Sequence, residues 1–148
     1  MTPGDAAPEF TLPAQDGEPR RLSDLLADGP VALFFYPAAA SPGCTKEACH
    51  FRDLGQEFAE VGAQRVGISS DPVDKQARFA DDHGFGYPLL SDADGEVARA
   101  FGVHRPGPLP TRRATFVIDT DRTVREVVTS EIAMDKHADA ALAALRGR

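Results

Sequence analysis

The sequence predicts a three-layer α/β fold with a mixed central sheet flanked by helices, and two observations carry that expectation. From residue 31 onward, apolar runs of strand length alternate with stretches of helical periodicity in the order β, α, β, α, β, α, followed by a final strand pair and helix. That order calls for parallel strands covered by helices. The run 31–36, VALFFY, is also unbroken and apolar, as expected of a strand buried on both faces.

In chain order, Phe10-Thr-Leu12 and Arg20-Arg-Leu22 are short extended pieces on either side of an Asp16-Gly17 turn, and read as an N-terminal β-hairpin. Ser23-Asp-Leu-Leu makes one helical turn capped by Ser23, and Asp28-Gly-Pro30 turns the chain into the apolar strand. A loop then opens a helix. Ser41 is a suitable N-cap, Pro42 suits the first helical position, and Ala48, Phe51, Phe58 and Val61 recur at helical spacing, so this helix is expected to reach about Val61. Residues 64–69 form a second strand, and Asp71-Pro72 starts a helix running through Phe79 to His83 and stopped by Gly84. Residues 87–90 are a short extended segment, and Asp94-Gly95 leads into a helix over 96–101 ended by Gly102. The proline-rich stretch 104–112 is a loop. Residues 113–119 and 123–128 flank a turn at 120–122 as a second hairpin, and the alanine- and leucine-rich segment 135–146 is the last helix.

At 148 residues the chain fits one domain, 1–148, large enough for a hydrophobic core. Sixteen basic against 23 acidic residues give a net charge of −7, which disfavours a nucleic-acid or anionic-membrane partner. No stretch has the length of a membrane span and the N-terminus lacks signal-peptide features, so a cytoplasmic location is expected. In that compartment a pair of cysteines is more often catalytic, redox-sensing or metal-binding than structural.

The two cysteines, Cys44 and Cys49, both fall just after the apolar strand, at the start of the following helix. Cys44 lies in its first turn, where unpartnered backbone N–H groups and the positive end of the helix dipole favour an anion. The reactive form of cysteine is the thiolate, so Cys44 is a candidate nucleophile. The competing reading makes both cysteines small buried hydrophobes.

Pro37-Ala-Ala-Ala-Ser41-Pro-Gly-Cys44 resembles the P-x-x-x-T/S-x-x-C active-site motif of peroxiredoxins, and Gly43-Cys44-Thr45-Lys46-Glu47-Ala48-Cys49 is similar to the G-C-T-x-E-A-C form of the bacterioferritin comigratory protein, or PrxQ, branch. Gly4-Asp-Ala-Ala-Pro8-Glu-Phe10, the segment ending Leu89-Leu90-Ser91-Asp92, and Arg113-Ala-Thr-Phe-Val-Ile-Asp119 carry further matches, so the resemblance covers nearly the whole chain. It implies a thioredoxin-like fold with an added N-terminal β-hairpin. It also implies a thiol-dependent peroxidase acting on hydrogen peroxide and organic hydroperoxides without a cofactor, recycled by thioredoxin or a similar dithiol, with a monomer expected. In that family Cys44 would be the peroxidatic cysteine, oxidised to a sulfenic acid, and Cys49 the resolving cysteine that closes a disulfide with it. Pro37 would shield the thiolate, the Ser41 hydroxyl would bond to the peroxide, and Arg113 would stabilise the thiolate and polarise the peroxide. Two departures stand out: Ser41 where most members have threonine, and Asp121-Arg122 where Asp-Gly is common.

Other residues are weighed with these. Glu47 either supports Arg113 or is a first-turn acid favoured by the helix dipole. His50, His83, His104 and His137 are scattered, fit no zinc-ligand spacing, and are read as surface or helix-end residues. No dinucleotide or phosphate-loop motif is present. A thiol-disulfide oxidoreductase is the alternative on the same fold, though it would want C-x-x-C at the helix start; a non-catalytic redox sensor is the third reading. Two positions five apart on an intact α-helix have Cα atoms about 8.6 Å apart. A disulfide needs them within about 7 Å, so a Cys44–Cys49 bond requires the helix to unwind.

Overall fold

The computed structural model describes residues 1–107 and 109–147. Five strands form the main sheet: β3 (Val31–Phe35), β4 (Gln64–Ser69), β5 (Leu89–Ser91), β6 (Ala114–Ile118) and β7 (Val124–Thr129). Their order is β5-β4-β3-β6-β7, with β3, β4 and β5 parallel and β6 antiparallel to both β3 and β7. This is the mixed thioredoxin-like sheet expected. The N-terminal hairpin, β1 (Thr11–Pro13) and β2 (Pro19–Arg21), is a separate two-stranded sheet.

The apolar run 31–36 supplies the central strand, and its period of two sorts the core into two layers. Val31, Leu33 and Phe35 face one side with Phe10, Leu22, Leu25, Leu26, Phe101 and Phe116; the hairpin, α1 (Leu22–Leu26) and α5 (Glu96–Ala100) close this layer. Ala32, Phe34 and Tyr36 face the other side with Cys44, Phe51, Phe58, Phe79 and Leu142. Helices α2 (Pro42–Asp53), α3 (Gly55–Glu60), α4 (Val73–His83) and α6 (Met134–Arg146) cover that face. Gly67 of β4 lies under the aromatic part of this layer. A methyl group there would meet Leu89 Cδ2 at 2.8 Å, Phe34 Cζ at 3.0 Å and Tyr36 Cε1 at 3.1 Å. Gly67→Ala is expected to destabilise the fold by about 1–3 kcal/mol through overpacking, read as a lower urea midpoint. An unchanged midpoint would mean that the aromatic layer has room to spare.

Two local expectations need correction. The helix carrying the cysteines does not run on to Val61: it ends at Asp53, Leu54 leaves the helical region at φ −92° and ψ 15°, and a new helix starts at Gly55. Arg65 explains the break. Its guanidinium donates to the Phe51 and Arg52 carbonyls at the end of α2 and would sit 3.0 Å from a Cβ at position 55. The short helix α1 begins two residues earlier than a Ser23 cap would place it, with Arg21 in the N-cap position. Helix α5 is held by Asp92, whose carboxylate accepts from the Val97 and Ala98 amides. In the turn before β7, Arg122 takes φ 71°, the left-handed conformation that a glycine there would supply without strain.

Candidate active site

The site forms where β3 leaves the sheet. Tyr36 extends the strand by donating its amide to the Ile68 carbonyl, and residues 37–41 then turn across to α2. This loop includes Ala40 at φ 67°, a conformation that costs an L-residue about 1–2 kcal/mol. Asp71 from the neighbouring strand end holds it: the carboxylate accepts from the Ala39 amide at 2.7 Å and from the Ser69 hydroxyl at 2.7 Å, and pairs with Lys75 at 3.1 Å. Nothing in the motif pointed to Asp71, which stands 32 residues from the amide it anchors.

Ser41 is the N-cap residue of α2 by backbone conformation, yet its hydroxyl makes no capping bond. It donates instead to the Ala38 carbonyl at 2.8 Å. That leaves the amides of Gly43 and Cys44 in the first turn without intrahelical partners, so both remain available to an anion. Cys44 and Cys49 are free thiols on the same helix, Cys44 fully buried and Cys49 half-buried.

Arg113 reaches the sulfur. The antiparallel register pairs Phe35 with Ala114, which brings the residue just before β6 to the sheet end where the Cys44 helix begins. Arg113 Nη2 donates to Cys44 Sγ at 3.3 Å and Nη1 to Glu47 Oε1 at 2.8 Å, while its own amide donates to Glu131. Burial works against the guanidinium charge, but Glu47 and Cys44 outweigh it and the Arg113 pKa is raised. Adjacent Arg112 is exposed. Of the two readings of Glu47, the structure supports the first: the carboxyl is fully buried on Arg113. Met134 completes the enclosure. Its methyl carbon lies 3.3 Å from where a Cβ at position 43 would be, and Arg113 Nη2 lies 3.4 Å from that point, so Gly43 leaves room for both.

Pro37 is half-buried in the loop ahead of Ser41. Of the four histidines expected at the surface or at helix ends, His137 is at a helix end but not at the surface. Although it lies in the first turn of α6, its ring is fully buried, Nδ1 at 2.8 Å from Thr115 Oγ1 and 3.5 Å from Glu47 Oε2, and Nε2 at 2.9 Å from the Ser130 carbonyl. The reason is packing: α6 lies across α2 and β6, and the first-turn position that is exposed on an isolated helix faces Glu47 here. His50 is partly exposed and bonds to Asp139.

Helix α2 is also pinned from outside the site. The buried Tyr87 hydroxyl donates to the Ala48 carbonyl at 2.6 Å, and the Phe51 ring stacks on Phe34 at 4.1 Å between centroids. Among the described residues no helix is long and apolar enough to cross a membrane.

Comparison with known proteins places this geometry. Residues 3–127 match the AhpC/TSA family. The crystal structure of peroxidoxin BcpB from Mycobacterium tuberculosis is 65% identical and superposes with a TM-score of 0.96, covering 99% of this chain and 97% of that one. A structure of the Xanthomonas campestris bacterioferritin comigratory protein, described for its alkyl peroxide reduction activity, is 31% identical with a TM-score of 0.86 over 97% of this chain and 98% of that one. Chloroplastic peroxiredoxin Q of Arabidopsis thaliana is 40% identical over 145 residues, 97% of this chain and 66% of that protein.

Proposed function

This chain belongs to the AhpC/TSA family and is a peroxiredoxin, a thiol-dependent peroxidase, and on that premise we propose that Cys44 attacks the hydroperoxide and Cys49 resolves the product. The observation that carries the reading is the Arg113 guanidinium bonded at once to Cys44 Sγ and Glu47, all three buried at a helix N-terminus. Hydrogen peroxide and organic hydroperoxides are the proposed substrates, and alkyl peroxide reduction by the Xanthomonas relative supports the second class.

The cycle balances as follows. The Cys44 thiolate forms an S–O bond as the O–O bond breaks, and the departing oxygen takes a proton to leave as water or an alcohol. The Cys49 thiol then attacks the sulfenic sulfur, an S–S bond forms, and water leaves. A dithiol such as thioredoxin returns both cysteines to thiols by exchange. Arg113 holds the anion and can share its guanidinium with the peroxide oxygens. The Ser41 hydroxyl, donating to Ala38, keeps its lone pairs free to accept from the peroxide O–H. Pro37 limits water at the mouth of the loop. No cofactor enters this scheme.

The test is to mix reduced protein with a hydroperoxide and a thioredoxin system and to follow reductant consumption. Catalytic consumption at a rate far above that of a free thiol supports the reading, and stoichiometric, slow oxidation favours a redox sensor. Within the site, Arg113→Ala is expected to slow the first oxidation by roughly 10²-fold or more, the scale of losing one charged donor to a developing anion. Arg112→Ala should stay near the parent rate, because that side chain is exposed. Stopped-flow oxidation rates check both, and equal rates in the two variants would remove Arg113 from the reaction.

A further inference from the structure

Glu47 and His137 form a buried acid–base pair that the scheme above does not use. His137 Nε2 faces only the Ser130 carbonyl, an acceptor, so that nitrogen carries a proton and the neutral ring presents Nδ1 as a lone pair. Thr115 Oγ1 and Glu47 Oε2 both face Nδ1. Glu47 Oε1 is satisfied by Arg113, but Oε2 is a buried oxygen with no hydrogen-bond partner. The single lone pair of Nδ1 accepts from the Thr115 hydroxyl at 2.8 Å, so the atom left without a partner is Glu47 Oε2, 3.5 Å from Nδ1, and a bare carboxylate oxygen buried there is unfavourable unless it carries a proton.

We propose that Glu47 holds a proton at Oε2, beside His137 Nδ1, that balances the Cys44 thiolate through Arg113, and that this proton leaves the pair when Cys44 becomes a sulfenic acid. The charges support it. With a thiolate, an arginine and one proton on the pair, the buried group is neutral. Attack on hydrogen peroxide forms the S–O bond, breaks the O–O bond and leaves hydroxide. The sulfenic acid is uncharged, so the group would become +1 unless the pair gives up its proton, which neutralises the hydroxide as water and restores neutrality. The inference rests on reading Cys44 as the sulfur that reacts.

The surroundings agree on where the proton resides. Burial pushes the Glu47 carboxyl up to about 8, against the lowering pull of Arg113 and with a smaller upward push from Glu131. Burial likewise holds His137 below the usual histidine range; the Ser130 carbonyl and Glu131 oppose this, and Arg113 and Lys136 reinforce it. The proton therefore sits mainly on Glu47, which still accepts from Arg113 through Oε1. Of the other charged groups on the packed elements, His50 of α2 pairs with Asp139 of α6, Arg52 with Asp53 and Arg125 of β7 with Asp119, Glu126 accepts from the Val127 amide, and Lys46, Asp135, Lys136 and Arg146 are exposed. Sequence position left Glu47 open between supporting Arg113 and serving as a first-turn acid, and gave no sign that the helix-end His137 stands beside it.

The test uses Cys49→Ser protein, which stops at the sulfenic acid, with carbon-13 in the glutamate carboxyls and nitrogen-15 in the histidine rings. NMR titration of the reduced protein is expected to show Glu47 protonated at neutral pH and His137 as the neutral Nε2–H tautomer. After one equivalent of hydrogen peroxide, with a mass gain of one oxygen, the Glu47 midpoint should fall by about one pH unit or more. His137→Phe, which removes the ring nitrogen facing Oε2, should slow oxidation about tenfold, and His137→Gln, whose amide oxygen can face Oε2 in its place, should restore most of the rate. A Glu47 that stays ionised from pH 5 to 9, or a midpoint unmoved by oxidation, overturns the proposal whether or not the His137 variants fold. Absence of the oxygen mass gain would instead overturn the assignment of Cys44.

Discussion

Cys44→Ser is expected to lose peroxidase turnover entirely, whereas Cys49→Ser should consume one equivalent of peroxide at close to the parent rate and then stop. The asymmetry follows from the surroundings of the two thiols. Cys44 sits in the first turn of α2 with the Arg113 guanidinium 3.3 Å from its sulfur. Cys49 lies more than a turn further on, half-buried, within reach of the Arg52 charge but with no hydrogen bond from a cation to its sulfur among the described residues. Removing the only activated nucleophile leaves nothing to attack the O–O bond. Removing the second thiol leaves the sulfenic acid unresolved, detectable by mass or by a sulfenate trap. Equal reactivity of the two variants toward the first equivalent would reverse or erase the division of roles.

Oxidation of the wild-type chain to a Cys44–Cys49 disulfide is expected to unwind the first half of α2. Both cysteines lie in that helix, five residues apart, a separation of about 8.6 Å on intact geometry against the roughly 7 Å a disulfide spans. Unwinding must break the Glu47–Arg113 ion pair and the bond from the Tyr87 hydroxyl to the Ala48 carbonyl, while the stack of Phe51 on Phe34 can persist as the anchor of the second half. The oxidised protein should lose far-UV helical signal, and the amides of residues 46–48 should exchange faster than in the reduced form. Tyr87→Phe, which removes a hydrogen bond worth about 1 kcal/mol, should shift the segment toward the unwound state about fivefold and speed disulfide closure if unwinding limits it. A disulfide-bonded protein with unchanged helicity and unchanged protection at those amides would sink the unwinding step and point to resolution by a thiol on another molecule.

The elements legible in advance were those with a strong local signal. The VALFFY run became the central strand, Gly84 in the left-handed conformation ends α4, and the Cys44 helix starts at Pro42. The misplaced boundaries came from contacts made at a distance. Phe58 and Val61 continue the helical spacing past Asp53, and only Arg65, arriving on β4, forces the break at Leu54. Ser41 has the right residue type for a cap, but the turn back to Ala38 places a closer acceptor beside its hydroxyl.

By itself the sequence determined the sheet's buried centre, the helix that presents Cys44, and the motif resemblance that singled out Arg113 over Arg112. These are set within a few residues, by side-chain periodicity, by the conformations open to proline and glycine, and by the unpartnered amides of a helix start. Only the tertiary structure decided that Asp71 holds the loop leading into the Cys44 helix and that His137 stands behind Glu47 rather than in water. Such pairings depend on strand order and register, which seat β6 beside β3 and α6 across α2. A histidine in a first turn has the same local sequence signature whether its ring faces solvent or a buried carboxyl, because burial is a property of what packs against it.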